Sequence, residues 1–251
     1  QVFTNLEMLH PAVSTRAVDG QWESNDTIGI SSTGMMDNMK FTRSGTSNQF
    51  VSASTVWFKD KNVRSFSAYY PYNANPTNDL IMFQVPDSAI QSKQKVNDFL
   101  FASGQASYAY PSLTLNFTHK MARVFIKIYP SPEYGFTTND FSGSILTFCD
   151  YFDSGTFNIK TGKVECSEES VSTGYFGEVK SSYMTFMLYV PAQTVPNIQL
   201  DLQNGEHYTF SINDKWEAGH SYSYSLKPVR SKLQITSVSI SSWESEHEQS
   251  I

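Results

Sequence analysis

The chain has 251 residues and a formal net charge of −6, from 18 basic and 24 acidic side chains. This balance excludes the strongly basic surface that nucleic acids attract, so we expect no nucleic-acid partner. Only 17% of the residues are charged whereas 14% are aromatic, a composition typical of sheet surfaces. No run of about 18 apolar residues suggests a membrane-spanning helix. We therefore expect an all-β protein outside the cytoplasm.

Two further features bear on the compartment. The chain begins with Gln1 rather than with an initiator methionine, and we expect that a preceding segment was removed, by a signal peptidase or by the designer of the expressed chain. Cys149 and Cys166 are even in number and close in sequence. Such a pair suits a disulfide in an oxidising compartment, and the alternative is a pair of small buried apolar side chains.

The first half of the chain predicts short strands separated by loops. Residues 27–31 and 56–58 each fit a short strand. A longer strand is predicted where apolar and aromatic side chains alternate, at Phe66, Ala68, Tyr70 and Tyr72. In residues 87–102 the apolar side chains are too loosely spaced for a helical stripe, so we predict a loop with at most a helical turn.

Strict alternation of apolar and polar residues predicts strands throughout the second half. Asn204 and Gly205 would supply the two positive φ angles of a type I′ turn, which predicts a hairpin. The apolar run at residues 184–190 has the length of a fully buried strand. The alternating apolar sets are Leu113, Leu115 and Phe117; Val124, Ile126 and Ile128; Ile198, Leu200 and Leu202; Tyr208, Phe210 and Ile212; and Tyr222, Tyr224 and Leu226.

The C-terminal segment has apolar residues of two parities. Leu233 and Ile235 share one parity, whereas Val238 and Ile240 share the other. A regular strand would place the two pairs on opposite faces. We therefore predict either a β-bulge near residues 236–237 or a strand that passes from one sheet to another.

About a dozen short strands divided by turn signals predict two β-sandwich domains packed end to end. A stretch rich in Gly, Ser and Ala at residues 103–111 interrupts the apolar pattern. We place the domain boundary there, near Tyr110, between an N-terminal domain of residues 1–110 and a C-terminal domain of residues 111–251.

No local pattern supports catalysis or metal binding. The five histidines are scattered without the spacing of a zinc site, and the motifs of hydrolases, dinucleotide-binding folds and phosphate loops are absent. We expect no metal, no cofactor and no enzymatic activity. His119 lies between two predicted strands and is interpreted as a side chain held by turn backbone. A loose group of acids is interpreted as solvated loop residues: Asp150, Asp153, Glu168 and Glu169.

Three tyrosines around Pro71, namely Tyr69, Tyr70 and Tyr72, leave two interpretations open. They are a candidate platform on which sugars stack. Alternatively they pack into a core with their hydroxyl groups at its rim, which is the commoner role of tyrosines at alternating strand positions.

Eight short segments, in order along nearly the whole chain, carry a resemblance to a known family. The first is Trp22 followed by DTIGI at residues 26–30. The others are AYYPY at 68–72, DFLFA at 98–102, LNFTHKMARVFI at 115–126, TGKV at 161–164, LYVPAQT at 188–194, WEAGHSYSYSL at 216–226 and ISSW at 240–243. In this combination the sequence resembles the fimbrillin-like proteins of Gram-negative gut and oral bacteria.

The resemblance implies a subunit similar to those of type V pili. It implies two transthyretin-like Greek-key β-sandwich domains and secretion as an outer-membrane lipoprotein with a lipidated N-terminal cysteine. This chain has no such cysteine, so Gln1 is expected to lie just downstream of it. In polymerising members a protease specific for Arg or Lys removes an N-terminal strand, and the C-terminal strand of another subunit fills the groove. The implied partners are other fimbrial subunits, host or bacterial surface ligands, and the outer membrane through the lipid.

Two segments fit this assembly. Arg16, in a polar segment ahead of Trp22, is the candidate cleavage site, and the alternative is an ordinary surface arginine. The candidate donor strand is residues 232–243, and the alternative is the last strand of its own domain. The apolar donor residues would be Leu233, Ile235, Val238 and Ile240.

Together these observations predict a non-enzymatic fimbrial subunit or associated adhesin at the cell surface, with assembly by β-strand exchange. The alternative is a surface glycan-binding module that uses Tyr69, Tyr70 and Tyr72.

Overall fold

The computed structural model describes residues 22–45, 49–229 and 232–243. Within these ranges the chain forms strands β1–β18 in three sheets. Helical structure in the described part is confined to a short helix, α1 (Gln91–Gln94), and to three 3₁₀ turns: Lys95–Asn97, Pro132–Tyr134 and Thr138–Phe141. The prediction of an all-β protein is confirmed.

Sheet 1 is built from the N-terminal part of the chain. Its strands are β1 (Thr27–Ser32), β2 (Met36–Arg43), β3 (Phe50–Val51), β4 (Arg64–Tyr70), β6 (Leu100–Ala106) and β7 (Thr118–His119). They lie in the order β3-β2-β1-β4-β6-β7, and each neighbouring pair is antiparallel. One face of this sheet covers a core that includes Trp22, Phe41 and Phe66.

Sheet 2 joins distant parts of the sequence. Its strands are β5 (Leu80–Gln84), β10 (Ser154–Asn158) and β11 (Val164–Cys166), in the order β11-β10-β5. The pairing of β5 with β10 connects positions seventy or more residues apart, for example Ile81 with Phe157.

Sheet 3 contains nine strands from the C-terminal part of the chain. They are β8 (Ala122–Ile128), β9 (Ile145–Tyr151), β12 (Val171–Phe176), β13 (Glu178–Val179), β14 (Met184–Val190), β15 (Gln193–Asp201), β16 (His207–Trp216), β17 (His220–Val229) and β18 (Lys232–Ser242). Their order is β12-β9-β15-β16-β18-β17-β8-β14-β13. β17 is parallel to β8 and antiparallel to β18.

The alternating pattern of sheet 3 buries a large core. Every second residue of β8 and β17 points into it, including Val124, Ile126, Tyr222 and Tyr224. A third cluster lies where the sheets meet and contains Tyr69 from β4, Phe157 from β10 and Tyr189 from β14, among others. The division into domains at residues 110 and 111, and the transthyretin-like topology of each, stay predictions.

Most predicted strands are present. Residues 27–31, the strand that contains Phe66, Ala68 and Tyr70, and the sets in β8, β16 and β17 are confirmed, as is the buried run at residues 184–190. Tyr72 and Leu202 were also predicted in strands, but they lie just beyond the ends of β4 and β15. Residues 87–102 do contain a helical turn, in α1, but the loop predicted there ends earlier, because β6 begins at Leu100. The strand predicted at residues 56–58 is wrong. Val56 and Phe58 pack against the core of sheet 1 without belonging to a strand.

Two other predictions are only partly right. Residues 113–117 alternate between buried and exposed positions as predicted, yet the segment belongs to no strand. The hairpin between β15 and β16 exists, but its turn is not type I′ because Gly205 has a positive φ of 87° and Asn204 does not. The loop is instead closed by Leu202 N–H donating to the Glu206 carbonyl at 2.9 Å, and the Asn204 side-chain oxygen accepts a hydrogen bond from Glu206 N–H at 3.0 Å.

Candidate assembly edge at the C-terminal strand

The C-terminal strand β18 is hydrogen-bonded within sheet 3. It pairs with β17 through ten residue pairs, from Val229–Lys232 to His220–Ser242. On its other side, the part of the chain described here shows one pairing, between Lys232 and Thr209 of β16. From Leu233 to Ile240, β18 therefore has a strand partner in the described structure along one edge only.

A β-bulge reconciles the two parities of the apolar residues in β18. Ile235 lies opposite Leu226 and Ser237 opposite Ser225, so Thr236 is the extra residue. Its hydroxyl group donates a hydrogen bond to the Ser225 carbonyl at 3.0 Å. The predicted bulge near residues 236–237 is confirmed. One extra residue restores the apolar positions after it to the face used before it.

The apolar residues of β18 consequently share the face that sheet 3 turns toward its core. Ile235, Val238 and Ile240 lie opposite Leu226, Tyr224 and Tyr222, respectively. Those three partners on β17 are at most 3% exposed, whereas Ile235, Val238 and Ile240 are 38%, 44% and 56% exposed. The residues that bury this face of the sheet over β17 therefore do not extend over these three residues of β18.

Both ends of β18 are anchored by buried side chains. Leu233 is 3% exposed at the start of the strand, and Trp243 is 5% exposed just beyond its end. The Trp243 indole stacks on the His119 ring with 3.7 Å between ring centroids. The Arg123 guanidinium lies 5.2 Å from the Trp243 ring centroid, a cation–π arrangement.

His119 itself is held differently from the sequence-based interpretation. Its Nδ1 lies 2.7 Å from a carboxylate oxygen of Asp98, and both side chains are buried. The partner is thus a buried acid together with the Trp243 ring, not turn backbone. No sequence signal identified this pair because Asp98 and Trp243 come from distant segments.

The candidate sugar platform does not exist as predicted. Tyr69 and Tyr70 are 1% and 4% exposed, so their rings are unavailable for stacking, whereas Tyr72 is half-buried. The Tyr69 hydroxyl group donates to the Asn38 side chain at 2.7 Å, and burial raises the pKa of Tyr69 to about 12. The packing interpretation is confirmed for Tyr69 and Tyr70.

The other candidate residues are placed as follows. Cys149 on β9 and Cys166 on β11 belong to different sheets and are not bridged, and both are half-buried. Asp153 is buried and accepts a hydrogen bond from the Thr173 hydroxyl group, which corrects its interpretation as a solvated acid. Arg16 lies outside the described residues.

Two features are absent from the described part of the chain. Its His, Cys, Asp and Glu side chains do not gather in groups of three or more suited to a metal ion. Its helices are all too short or too polar to cross a membrane.

Comparison with known proteins gives one family. Residues 15–243 match the family described as fimbrillin-like. A Bacteroides uniformis protein named "Putative fimbrium subunit Fim1C" is 24% identical to this chain over 249 residues, which cover 90% of the chain and 80% of that protein.

Solved structures share the fold. A "putative cell adhesion protein" from Bacteroides uniformis superimposes with a TM-score of 0.74 at 21% identity, covering 92% of this chain and 96% of that one. One from Bacteroides ovatus has a TM-score of 0.72 at 21% identity, with 91% of each chain covered. The tip fimbrial protein Mfa3 from Porphyromonas gingivalis has a TM-score of 0.52 at 9% identity, covering 88% and 95%. Because the family match spans most of the sequence, this chain belongs to the fimbrillin-like family.

Proposed function

We propose that this protein is a non-enzymatic subunit or adhesin of a bacterial surface fimbria and that it joins neighbouring subunits by β-strand exchange. Membership in the fimbrillin-like family supports the fimbrial role, and so does the similarity to a named fimbrium subunit. The proposal includes a location at the cell surface, with a lipid anchor holding the protein to the outer membrane.

One observation carries the assembly mechanism: the row of exposed apolar side chains on the core-facing side of β18. A strand edge that combines free backbone groups with exposed apolar side chains is a template for another strand. Fully burying an aliphatic side chain contributes about 1.5–3 kcal/mol. Since Ile235, Val238 and Ile240 are each roughly half exposed, covering them would contribute about 2–4 kcal/mol in total, before any backbone hydrogen bonds.

The strand β18 has two roles available in such an exchange. As a donor it leaves β17, which breaks ten residue pairs and withdraws Leu233 and Trp243 from their buried sites. As part of an acceptor edge it stays in place and receives a strand from another subunit. In the described structure β18 is paired with β17. The donor role of its four apolar residues remains our prediction from sequence.

The first experiment tests whether this face mediates assembly. We expect Val238→Lys and Ile240→Lys to reduce assembly strongly, because a charge cannot be buried under an added strand without a large cost. Ser237→Lys and Ser239→Lys are matched controls on the opposite face of the same strand and should assemble normally. Assembly is measured by light scattering after gel filtration of the protease-treated protein. Equal assembly by all four variants would refute the proposed interface.

A second experiment separates the donor role from the acceptor role. Ser223 and Ser239 are cross-strand partners on β17 and β18, close enough for an engineered disulfide. With Cys149 and Cys166 replaced by serine, the variant Ser223→Cys with Ser239→Cys locks β18 in place when oxidised. Loss of assembly on oxidation, recovered on reduction, supports the donor role. Unchanged assembly assigns β18 to the acceptor edge.

Processing at Arg16 is a separate part of the proposal. We expect trypsin to cleave after Arg16 and thereby start assembly, because removal of an N-terminal segment would open an acceptor site. Arg16→Gln should stay monomeric under the same treatment. If the Arg16→Gln variant assembles as well as the unmodified chain, the cleavage site is elsewhere.

A further inference from the structure

A cleft of about 930 Å³ opens on the face of sheet 1 that points away from its core. Its floor is a row of serines, because Ser31 pairs with Ser67 and Ser67 pairs with Ser103 across β1, β4 and β6. The adjacent row of Ile30, Ala68 and Ala102 points the other way, into the core. The serine hydroxyl groups therefore line one side of the sheet.

The walls of the cleft are tight turns with fixed geometry. One wall is the turn between β1 and β2, where Gly34 has a φ of 72° and Met35 N–H donates to the Ser32 carbonyl. The opposite wall is the turn between β10 and β11. There the Asn158 side-chain oxygen accepts hydrogen bonds from Lys160 N–H at 2.9 Å and Thr161 N–H at 3.0 Å. A ligand entering this cleft would not have to order the walls, which lowers the cost of binding.

Lys160 connects the two walls electrostatically. Its ammonium group donates to the Ser31 hydroxyl oxygen at 3.0 Å, forms an ion pair with Asp37, and lies 3.8 Å from a carboxylate oxygen of Asp79. At the rim, the Lys59 ammonium donates to the Gly34 carbonyl at 3.3 Å. Among the residues that line the cleft, one cation, Lys160, faces two carboxylates, so the cleft gives an acidic ligand no net attraction.

The two carboxylates keep acceptor capacity for a ligand. The Asp37 and Asp79 side chains are 78% and 48% exposed despite their ion pairs with Lys160, and each carboxylate has lone pairs beyond those in the pair. Exposed hydroxyl groups of Ser103 and Thr161 add donors and acceptors. Phe101 of β6, a half-buried side chain that also packs against the third cluster, lies among the lining residues and adds apolar surface.

We propose that this cleft binds a neutral oligosaccharide. Neutral sugars present many hydroxyl groups that both donate and accept hydrogen bonds, together with apolar C–H faces, and the lining matches both features. The volume lies at the upper end of the range for small-molecule sites, about 300–1,000 Å³, which suits a short oligosaccharide. The site is separate from β18, so binding does not depend on strand exchange.

The test uses the fluorescently labelled full chain on an array of neutral and acidic oligosaccharides, followed by calorimetric titration of the best binder. We expect binding of neutral glycans. Ser103→Trp, which fills the floor, should lower affinity at least about tenfold, and Asp37→Asn, which removes a charged acceptor, about tenfold. Matched changes away from the cleft, Ser172→Trp and Glu217→Gln, should leave affinity unchanged.

The results that overturn the proposal are distinct from those that overturn the assembly mechanism. They are an array with no neutral glycan bound, a preference for acidic glycans, or equal affinity in the native and Ser103→Trp proteins. Should Ser103→Trp fail to fold, Asp37→Asn decides the question, because its side chain is largely exposed. Normal assembly of a variant that has lost glycan binding would show that the two activities are separate.

Discussion

Replacing Trp243 tests how firmly β18 is held in the subunit. The indole is 5% exposed, stacks on the His119 ring at 3.7 Å and lies 4.9 Å from the Tyr189 ring. Its Nε1 has no hydrogen-bond partner among the described residues, so its contribution is packing rather than hydrogen bonding. Truncating a buried tryptophan to alanine typically costs about 3–5 kcal/mol. We expect Trp243→Ala to lower the free energy of unfolding by that amount.

The size of this loss matters because a whole domain has only about 5–15 kcal/mol of stability. Urea denaturation followed by far-UV circular dichroism gives the midpoint and slope from which the change is calculated. Trp243→Phe is a matched control that keeps an aromatic ring and should cost less than half as much. Ile240→Ala, at a position 56% exposed, should cost below about 1 kcal/mol.

Hydrogen exchange adds a local measurement to the global one. If Trp243 holds the end of β18, Trp243→Ala should speed the exchange of the amides that pair β17 with β18, because a weakened anchor allows local opening. The increase relative to the unmodified protein should be larger there than for the amides of β8 and β14. A loss of stability under about 1 kcal/mol, with unchanged exchange in β18, would show that Trp243 does not anchor the strand.

Three further predictions concern the bulge, a buried tyrosine and a glycine. Deleting Thr236 should cost about 1 kcal/mol, because it removes the bulge and one hydrogen bond but keeps the register, whereas deleting Ser239 shifts the strand end and should cost several times more in urea denaturation. Because the pKa of Tyr69 is raised from its usual 10 to about 12, its contribution is complete below pH 10 and is lost as pH rises to about 12; Tyr69→Phe should weaken that decline in unfolding free energy. Gly162→Ala should destabilise more than Gly205→Ala in thermal melts. Both glycines have positive φ, but an added Cβ meets an aromatic ring at 2.4 Å only at position 162.

The sequence predicted those features that depend on local alternation. The bulge in β18 was one of the two alternatives that the opposite parities of Ile235 and Val238 allowed, because a single apolar face requires its side chains to point the same way. The same reasoning failed for residues 113–117, where alternate side chains are buried without a partner strand. Alternation of apolar and polar residues indicates which side chains are buried. It does not identify the neighbouring strand with which the segment would have to pair.

Features that depend on distant pairing were not predictable. The sequence indicated that Tyr69 packs into a core but not what it packs against, which is Gly29, its neighbour on β1, where an added Cβ would lie 2.2 Å from the tyrosine ring. No local pattern brings these two residues together. The cleft likewise needs β1, β4 and β6 side by side, with the turn after β10 folded over them, and sheet 2 exists only through the long-range pairing of β5 with β10.

The bulge at Thr236 also bears on how an exposed apolar edge avoids indiscriminate pairing. A bulge interrupts the even spacing of backbone groups along a strand and increases its local twist. A regular strand approaching the edge of β18 that lacks a strand partner among the described residues would therefore match the hydrogen-bonding groups on one side of Thr236 and miss those on the other. In the proposed assembly, a partner strand must fit both this interruption and the spacing of Ile235, Val238 and Ile240. The same residue that aligns the apolar face thus restricts which strands can cover it.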